Sequence, residues 1–278
     1  MVMKQRSSAG KILLTIIIVI AVLLLLAEFG LRWFIGNQVV QALTTQDTQT
    51  SSEQKEKPKI SFGTSPLLLG LVKGEIPHVE LDTPSTINIK KNADSTISEI
   101  TGVPKTRMVA DGLSLLDAEN PTARTMTLEV EPDDAFLLAM VQSAVAEQDG
   151  AGQTDASDLK ANLQGILQQV VKVTKVTSNP QNSTIDVEFT NGAATLTLKP
   201  KVQDGNLGFD AVNTALFGFA LPSEVTETVS KGLNENISKV NTNGMATDEV
   251  TVIDGGLRIK MSGQNVKLSA ASQSMQTQ

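Results

Sequence analysis

Ile12 to Ala27 is a run of aliphatic residues broken only by Thr15, and it follows a stretch, Met1 to Lys11, that carries Lys4, Arg6 and Lys11 without an acid. Extended through Phe29, Gly30 and Leu31, the run approaches the ~20 residues that cross a bilayer. The basic flank predicts an N-terminus in the cytoplasm, residues 1–11, and everything after Glu28 on the far side of the membrane. No small-x-small cleavage site follows, and a chain without cysteine has no lipobox. Residues 12–36 therefore read as a transmembrane anchor or uncleaved signal, with secretion after cleavage as the alternative. Trp33, the sole tryptophan, suits an interfacial belt together with Arg32 and Phe34.

Residues 37–57 read as a polar tether, because Thr44 to Lys57 has no large apolar residue. What remains, residues 58–268, has the length of one domain with one core, and residues 269–278 read as a disordered tail. Without cysteine that core has no disulfide to help it. The chain carries a net charge of −7; Lys4, Arg6 and Lys11 against Glu28 put the first 28 residues at +2 and the rest at −9. An acidic outer domain excludes nucleic acid as partner and disfavours electrostatic adsorption to anionic lipid. Contact with lipid would have to be apolar.

Pro58 to Asp82 packs several signals into a short space. Ile60 and Phe62 alternate with Lys59 and Ser61 as in a half-buried strand, and Gly63 ends it. Ser65 is placed to be an N-cap and Pro66 the first residue of a helix. Leu67, Leu68, Leu69, Leu71 and Val72 leave that helix almost no polar face, although it is too short to span a bilayer, and Gly74 stops it. Such a helix must be buried or touch something oily. Glu75 to Leu81 resumes alternation, with Pro77 predicting a sheet edge or a bulge.

Beyond this module, strands dominate. Thr86 to Lys90 alternates, and Lys105 to Leu116, with Asp111-Gly112 as a bulge or turn, pairs with Ala123 to Val130 in a hairpin. Pro132-Asp133-Asp134 opens a helix running to about Glu147, apolar nearly all round over Ala135 to Val141. Gln148 to Asp158 has loop composition, and Asp158 to Val170 reads as a second helix. Ile185, Val187 and Phe189, then Leu196 and Leu198 after the Asn191-Gly192 turn, then Leu207 and Phe209 after Asp204-Gly205-Asn206, form a meander with one greasy side. Leu221-Pro222 opens a last helix with Val225, Val229, Leu233, Ile237 and Val240 in a narrow apolar stripe. A hairpin turning at Asp254-Gly255-Gly256 closes the chain.

The catalytic inventory is poor. One histidine, no cysteine and no tyrosine rule out His-rich and thiolate metal sites and Cys–His pairs. A Ser-His-Asp triad could use only His78, which the pattern places on an edge strand. Glu129 with Glu131 and Asp133 with Asp134 could in principle do paired-carboxylate chemistry. Their positions, on a strand's polar face and at a helix start, favour structural roles. Neither an enzyme, a metal site nor a cofactor is expected.

The Phe62-Gly63-x-x-Pro66-hydrophobic stretch, the Gly74-Glu75 step into an alternating strand, Leu221-Pro222 and Asp254-Gly255-Gly256-Leu257-Arg258-Ile259 together resemble the LmeA-type phospholipid-binding family of actinobacterial envelopes, over most of residues 58–268. The resemblance implies an α+β fold, a curved antiparallel sheet wrapped around long helices like half of a tubular lipid-binding protein. It implies a phospholipid carrier or accessory factor in lipomannan-type glycolipid assembly, with an envelope glycosyltransferase as possible partner. A hydrophobic content of 40% with only 3% aromatic residues suits flexible acyl chains. The expected lipid contacts are Leu67, Leu68, Leu69, Leu71 and Val72 with Leu216, Phe217 and Phe219 at the mouth. Phe136, Leu137, Met140, Val225, Val229, Leu233 and Ile237 would form the walls. The rival reading is an anchored adaptor that binds no lipid and positions an envelope enzyme.

Overall fold

The computed structural model describes residues 8–45, 56–91, 97–117, 120–149, 172–216, 219–220, 230, 234 and 244–268. Three helices are described, α1 (Ser8–Thr45), α2 (Leu67–Val72) and α3 (Asp134–Asp149). The strands are β1 (Lys59–Ser61), β2 (Glu75–Thr83), β3 (Asn88–Lys91), β4 (Ile97–Thr101), β5 (Lys105–Ser114), β6 (Thr122–Glu131), β7 (Val173–Asn179), β8 (Thr184–Phe189), β9 (Ala194–Gln203), β10 (Asn206–Leu216), β11 (Phe219–Ala220), β12 (Met245–Ile253) and β13 (Gly256–Lys267). All pairings are antiparallel, in a six-stranded sheet ordered β1-β2-β5-β6-β13-β12, a five-stranded sheet ordered β11-β10-β9-β8-β7, and a separate β3-β4 ribbon.

The antiparallel expectation holds, in two main sheets where one was expected, and long helices for a sheet to wrap around are not shown among the described residues. Two open sheets share the work, and among the described residues only α1 and α3 exceed two turns. The predicted helix over Asp158–Val170 lies outside the described residues. Strands β4 and β7 have no counterpart in the sequence reading. Helix α1 runs through residues 37–45, which composition assigns to the tether. Its backbone is described throughout and its side chains mainly from Ala21 on; no helix among the described residues is long and apolar enough to cross a membrane.

Two cores result, each seeded by strand alternation. The first lies on the six-stranded sheet and joins Phe62, Leu67, Ile76, Val79, Ala110, Leu113, Ala123, Met126, Leu128, Met245 and Val266, with Leu31 and Ile35 of α1 packed against it. The second is built from Val173, Val176, Ile185, Val187, Leu198 and Ala211, closed by Val252 and Leu257 of the β12–β13 hairpin and by Leu137, Leu138 and Val141 of α3. The β12–β13 hairpin thus serves both sheets.

The first core depends on a break in alternation. Val79, Ala110, Met126 and Gly263 sit side by side across four strands, as do Ile76, Leu113, Ala123 and Val266. The two rows are three residues apart along every strand, so in a regular pleat they would face opposite ways. Instead the apolar members of both rows enter one core. Between them Gly112 (φ 61°) and Asn265 (φ 52°) take left-handed backbone, which rotates the strands and bends the sheet. The positive φ is what favours glycine at 112; a Cβ there would also lie 2.5 Å from Arg124 Nη2, the end of a flexible side chain that can move aside. Asp111-Gly112 is therefore a mid-strand irregularity in β5, not a turn.

Candidate functional site

Where α1 meets the domain, the contacts are made by two charges embedded among apolar residues. Glu28 and Arg32, one turn apart, form an ion pair at 2.7 Å. The Glu28 carboxylate also accepts the N–H groups of Leu67 (2.7 Å) and Leu68 (2.9 Å), the first two residues of α2. Arg32 donates to the carbonyls of Gly63 (2.6 Å) and Ser65 (2.7 Å). The N-cap position is Pro66, with no capping side chain of its own, so Ser65 does not cap α2 as its sequence position suggests. Glu28 supplies the missing acceptor from another helix.

The chain descends along α1 as it approaches α2. Ile60 lies against Gly36, Gly63 and Ser65 against Arg32, and Leu67 and Leu68 against Glu28. From Gly36 to Glu28 is roughly two turns, about 12 Å at 1.5 Å per residue. Helix α2 therefore lies at the end of the domain nearest the apolar stretch of α1, where Val22, Leu23, Leu24, Leu25, Leu26 and Phe29 are all exposed.

Helix α2 divides its apolar residues between two environments. Leu67 is fully buried, Leu68 half-buried, and Leu71 packs on the first core. Leu69 and Val72 point out, 63% and 87% exposed. The close approach to β2 requires Gly70, since a Cβ there would fall 2.4 Å from Pro77 Cδ and 2.5 Å from the Glu75 carbonyl. Pro77 sits beyond the reach of the short β1, where β2 has no strand on that side and Gly70 of α2 packs close to it. Leu116, 84% exposed, overhangs Gly74, and the Leu115 N–H donates to the Gly74 carbonyl at 2.8 Å. Between α1 and β1 runs an open groove of about 640 Å³, lined by Phe29, Trp33, Val40, Ile60 and Phe62 with Arg32 and Lys59 at its polar margin.

The other expected lipid contacts are dispersed. Leu137 packs in the second core, and Phe136 and Met140 are half-buried on α3. Leu216 ends β10 and pairs in register with Phe219 of β11. Phe217, Val225, Val229, Leu233 and Ile237 lie outside the described residues. Of that predicted helix, Ser230 and Asn234 are described, both helical and one turn apart. Asn234 brackets Phe209, accepting from its N–H (2.8 Å) and donating to its carbonyl (2.9 Å), while Ser230 accepts from the Ala211 N–H (2.8 Å). These two residues replace a neighbouring strand along part of the edge of β10. The sequence reading missed them, because it followed only the apolar stripe of this helix. It missed the Glu28–Arg32 pair as well, although two charges inside an apolar helix are costly unless they have partners.

The carboxylates considered for chemistry have structural partners. Asp133 accepts the Phe136 N–H at 2.7 Å as the N-cap of α3, and Asp134 binds the backbone and hydroxyl of Ser178. Glu131 joins three strands, accepting from Lys105 (2.8 Å) and Arg258 (2.6 Å). The Lys105 hydrogen bond is the main cause that holds the Glu131 carboxyl below its ordinary value, against the opposing effect of burial, with Arg258 adding to it. His78 Nδ1 meets Asp111 at 2.6 Å, and Thr125 reaches the other carboxylate oxygen at 3.4 Å. The hydroxyl is on the carboxylate and not on the imidazole, which is not the order a nucleophile–base pair requires. Among the described residues no group of three or more His, Cys, Asp or Glu is placed to hold a metal.

A family model described as LmeA-like phospholipid-binding matches residues 26–262. The chain belongs to this family. Membership supports lipid binding in general, and the match begins inside α1, ahead of Glu28 and Arg32, so the family's region includes the joint between helix and domain. Neither the curated proteins nor the solved structures give a match.

Proposed function

We propose that this protein is an extracytoplasmic phospholipid-binding protein, anchored in the membrane through α1 with its N-terminus in the cytoplasm. It holds acyl chains between sheet and helix and acts as a lipid carrier or accessory factor in envelope glycolipid assembly of the lipomannan type, without catalysis of its own. The observation that carries the reading is the family match over residues 26–262. The exposed aliphatic surface of α1 from Val22 to Leu26 supports the anchor, because so much apolar area in water is unfavourable at about 25 cal/mol per Å².

The test is retention of lipid. Full-length protein is exchanged into lipid-free detergent until surrounding lipid is gone, then extracted with organic solvent. Stoichiometric phospholipid in the extract is the expected result. Folded protein that gives none would return the chain to the adaptor reading, in which a surface and not a cavity matters.

A further inference from the structure

The apolar end of the domain has a position relative to the membrane that is fixed by hydrogen bonds. Helix α2 is pinned to α1 at Glu28 through the Leu67 and Leu68 N–H groups, immediately beside the exposed stretch Val22–Leu26. Arg32 holds the preceding loop by two carbonyls, so the joint does not swivel freely. At that level the domain offers Leu69 and Val72 on α2 and Leu116 over Gly74, all strongly exposed, with the exposed Lys73 between helix and turn. Three large aliphatic side chains thus stand exposed at the end of the domain that is pinned beside the bare aliphatic stretch of α1.

We infer that α2 and Leu116, just beyond the end of β5, form a foot that dips into the outer leaflet of the bilayer crossed by α1. Leu69, Val72 and Leu116 enter the acyl region, and the Lys73 ammonium stays at the phosphate level, as long cationic side chains do at interfaces. The occupant is lipid and not a protein because α2 is pinned at Glu28, two residues from the exposed aliphatic stretch that the anchor reading places in the bilayer. The acidic outer domain, −9 beyond residue 28, leaves apolar insertion as its means of lying on a membrane. The inference rests on the anchor reading above. It adds a fixed orientation: the first core, directly behind Leu67, faces the leaflet, while the β12–β13 turn at Asp254 points away from this end.

The absence of cysteine makes the test direct. Single variants Leu25→Cys, Val72→Cys, Leu116→Cys and Asp254→Cys are labelled with an environment-sensitive fluorophore in the full chain, which is reconstituted into phosphatidylcholine vesicles containing acyl-chain spin labels. Labels at 25, 72 and 116 should shift to the blue and be quenched several-fold more than the label at 254. Quenching at 25 with 72 and 116 matching 254 would overturn the foot and leave the anchor standing. Quenching at none would overturn both. Labels at 72 and 116 that are blue-shifted but unquenched would mean that a protein surface covers them, which also overturns the proposal. Lipid retention in detergent, measured on the same variants, reports separately on phospholipid binding.

Discussion

The two cores of this protein are both mainly aliphatic and are bounded differently. Around Val187 and Leu257, apolar strand faces meet an apolar hairpin and α3, and the cluster is closed on its described sides. Around Leu67, the same kind of packing is bounded by a six-residue helix that is as greasy outside as inside, and this helix is held by charges on α1 and not by its own cap. The difference shows that apolarity at a short helix does not distinguish core from contact surface. What distinguishes them is the side from which the neighbours come.

The largest expected effect belongs to the second core. Leu257 is 1% exposed, so Leu257→Ala should cost about 2–5 kcal/mol, read as the shift of the denaturation midpoint. A loss as small as that of a surface change would mean that this hairpin does not close the second core. Next is the contact that seats α2. Gly70→Ala puts a Cβ against Pro77 and the Glu75 carbonyl, and overpacking of this kind costs about 1–3 kcal/mol. Hydrogen exchange at the α2 amides should accelerate while β7 and β8 stay protected; uniform acceleration would show that the two cores unfold as one.

Glu131 stands between the two regions, tying β5 and β6 to β13. Glu131→Gln should cost about 1–2 kcal/mol, the lower part of the range for charge-assisted hydrogen bonds because Lys105 and Arg258 are themselves well exposed. The folded carboxyl is held below its ordinary value, so its contribution is complete above the ordinary carboxylate range. It is lost as pH falls through that range and past the lowered folded value. The wild-type protein should therefore lose stability toward acid more steeply than the Gln variant, in urea titrations at a series of pH values. Parallel curves would assign the linkage elsewhere. The smallest effect on folding is expected at the outer face of α2: Leu69→Ser and Val72→Ser should stay within about 0.5 kcal/mol of the parent. A core-sized loss there would erase the contrast between the two cores.

Much of the strand layout was legible in the sequence. Asp204-Gly205, Asn191-Gly192 and Asp254-Gly255 turn where expected, with positive φ at each of these residues except Asp254, and the alternating segments on either side become β8, β9, β10, β12 and β13. Turn chemistry and a period of two are local, acting over a few residues, so they can be read without knowing the fold. The N-cap of α3 at Asp133 belongs to the same class.

The tertiary structure decided whatever depended on residues far apart in the chain. Alternation says which residues share a face but not which sheet they join, so one curved sheet was expected where two formed. The phase change at Gly112 and Asn265 obeys sterics across four strands and interrupts the pattern from which strands are read. Leu67, Leu69 and Val72 are equivalent in composition, and only the arrival of β2 on one side and α1 at the N-terminus buried the first and left the others bare. The cap of α2 came from Glu28, and the cover for β10 from Ser230 and Asn234, because an unpaired backbone group binds the nearest suitable partner in space, whatever its distance along the chain.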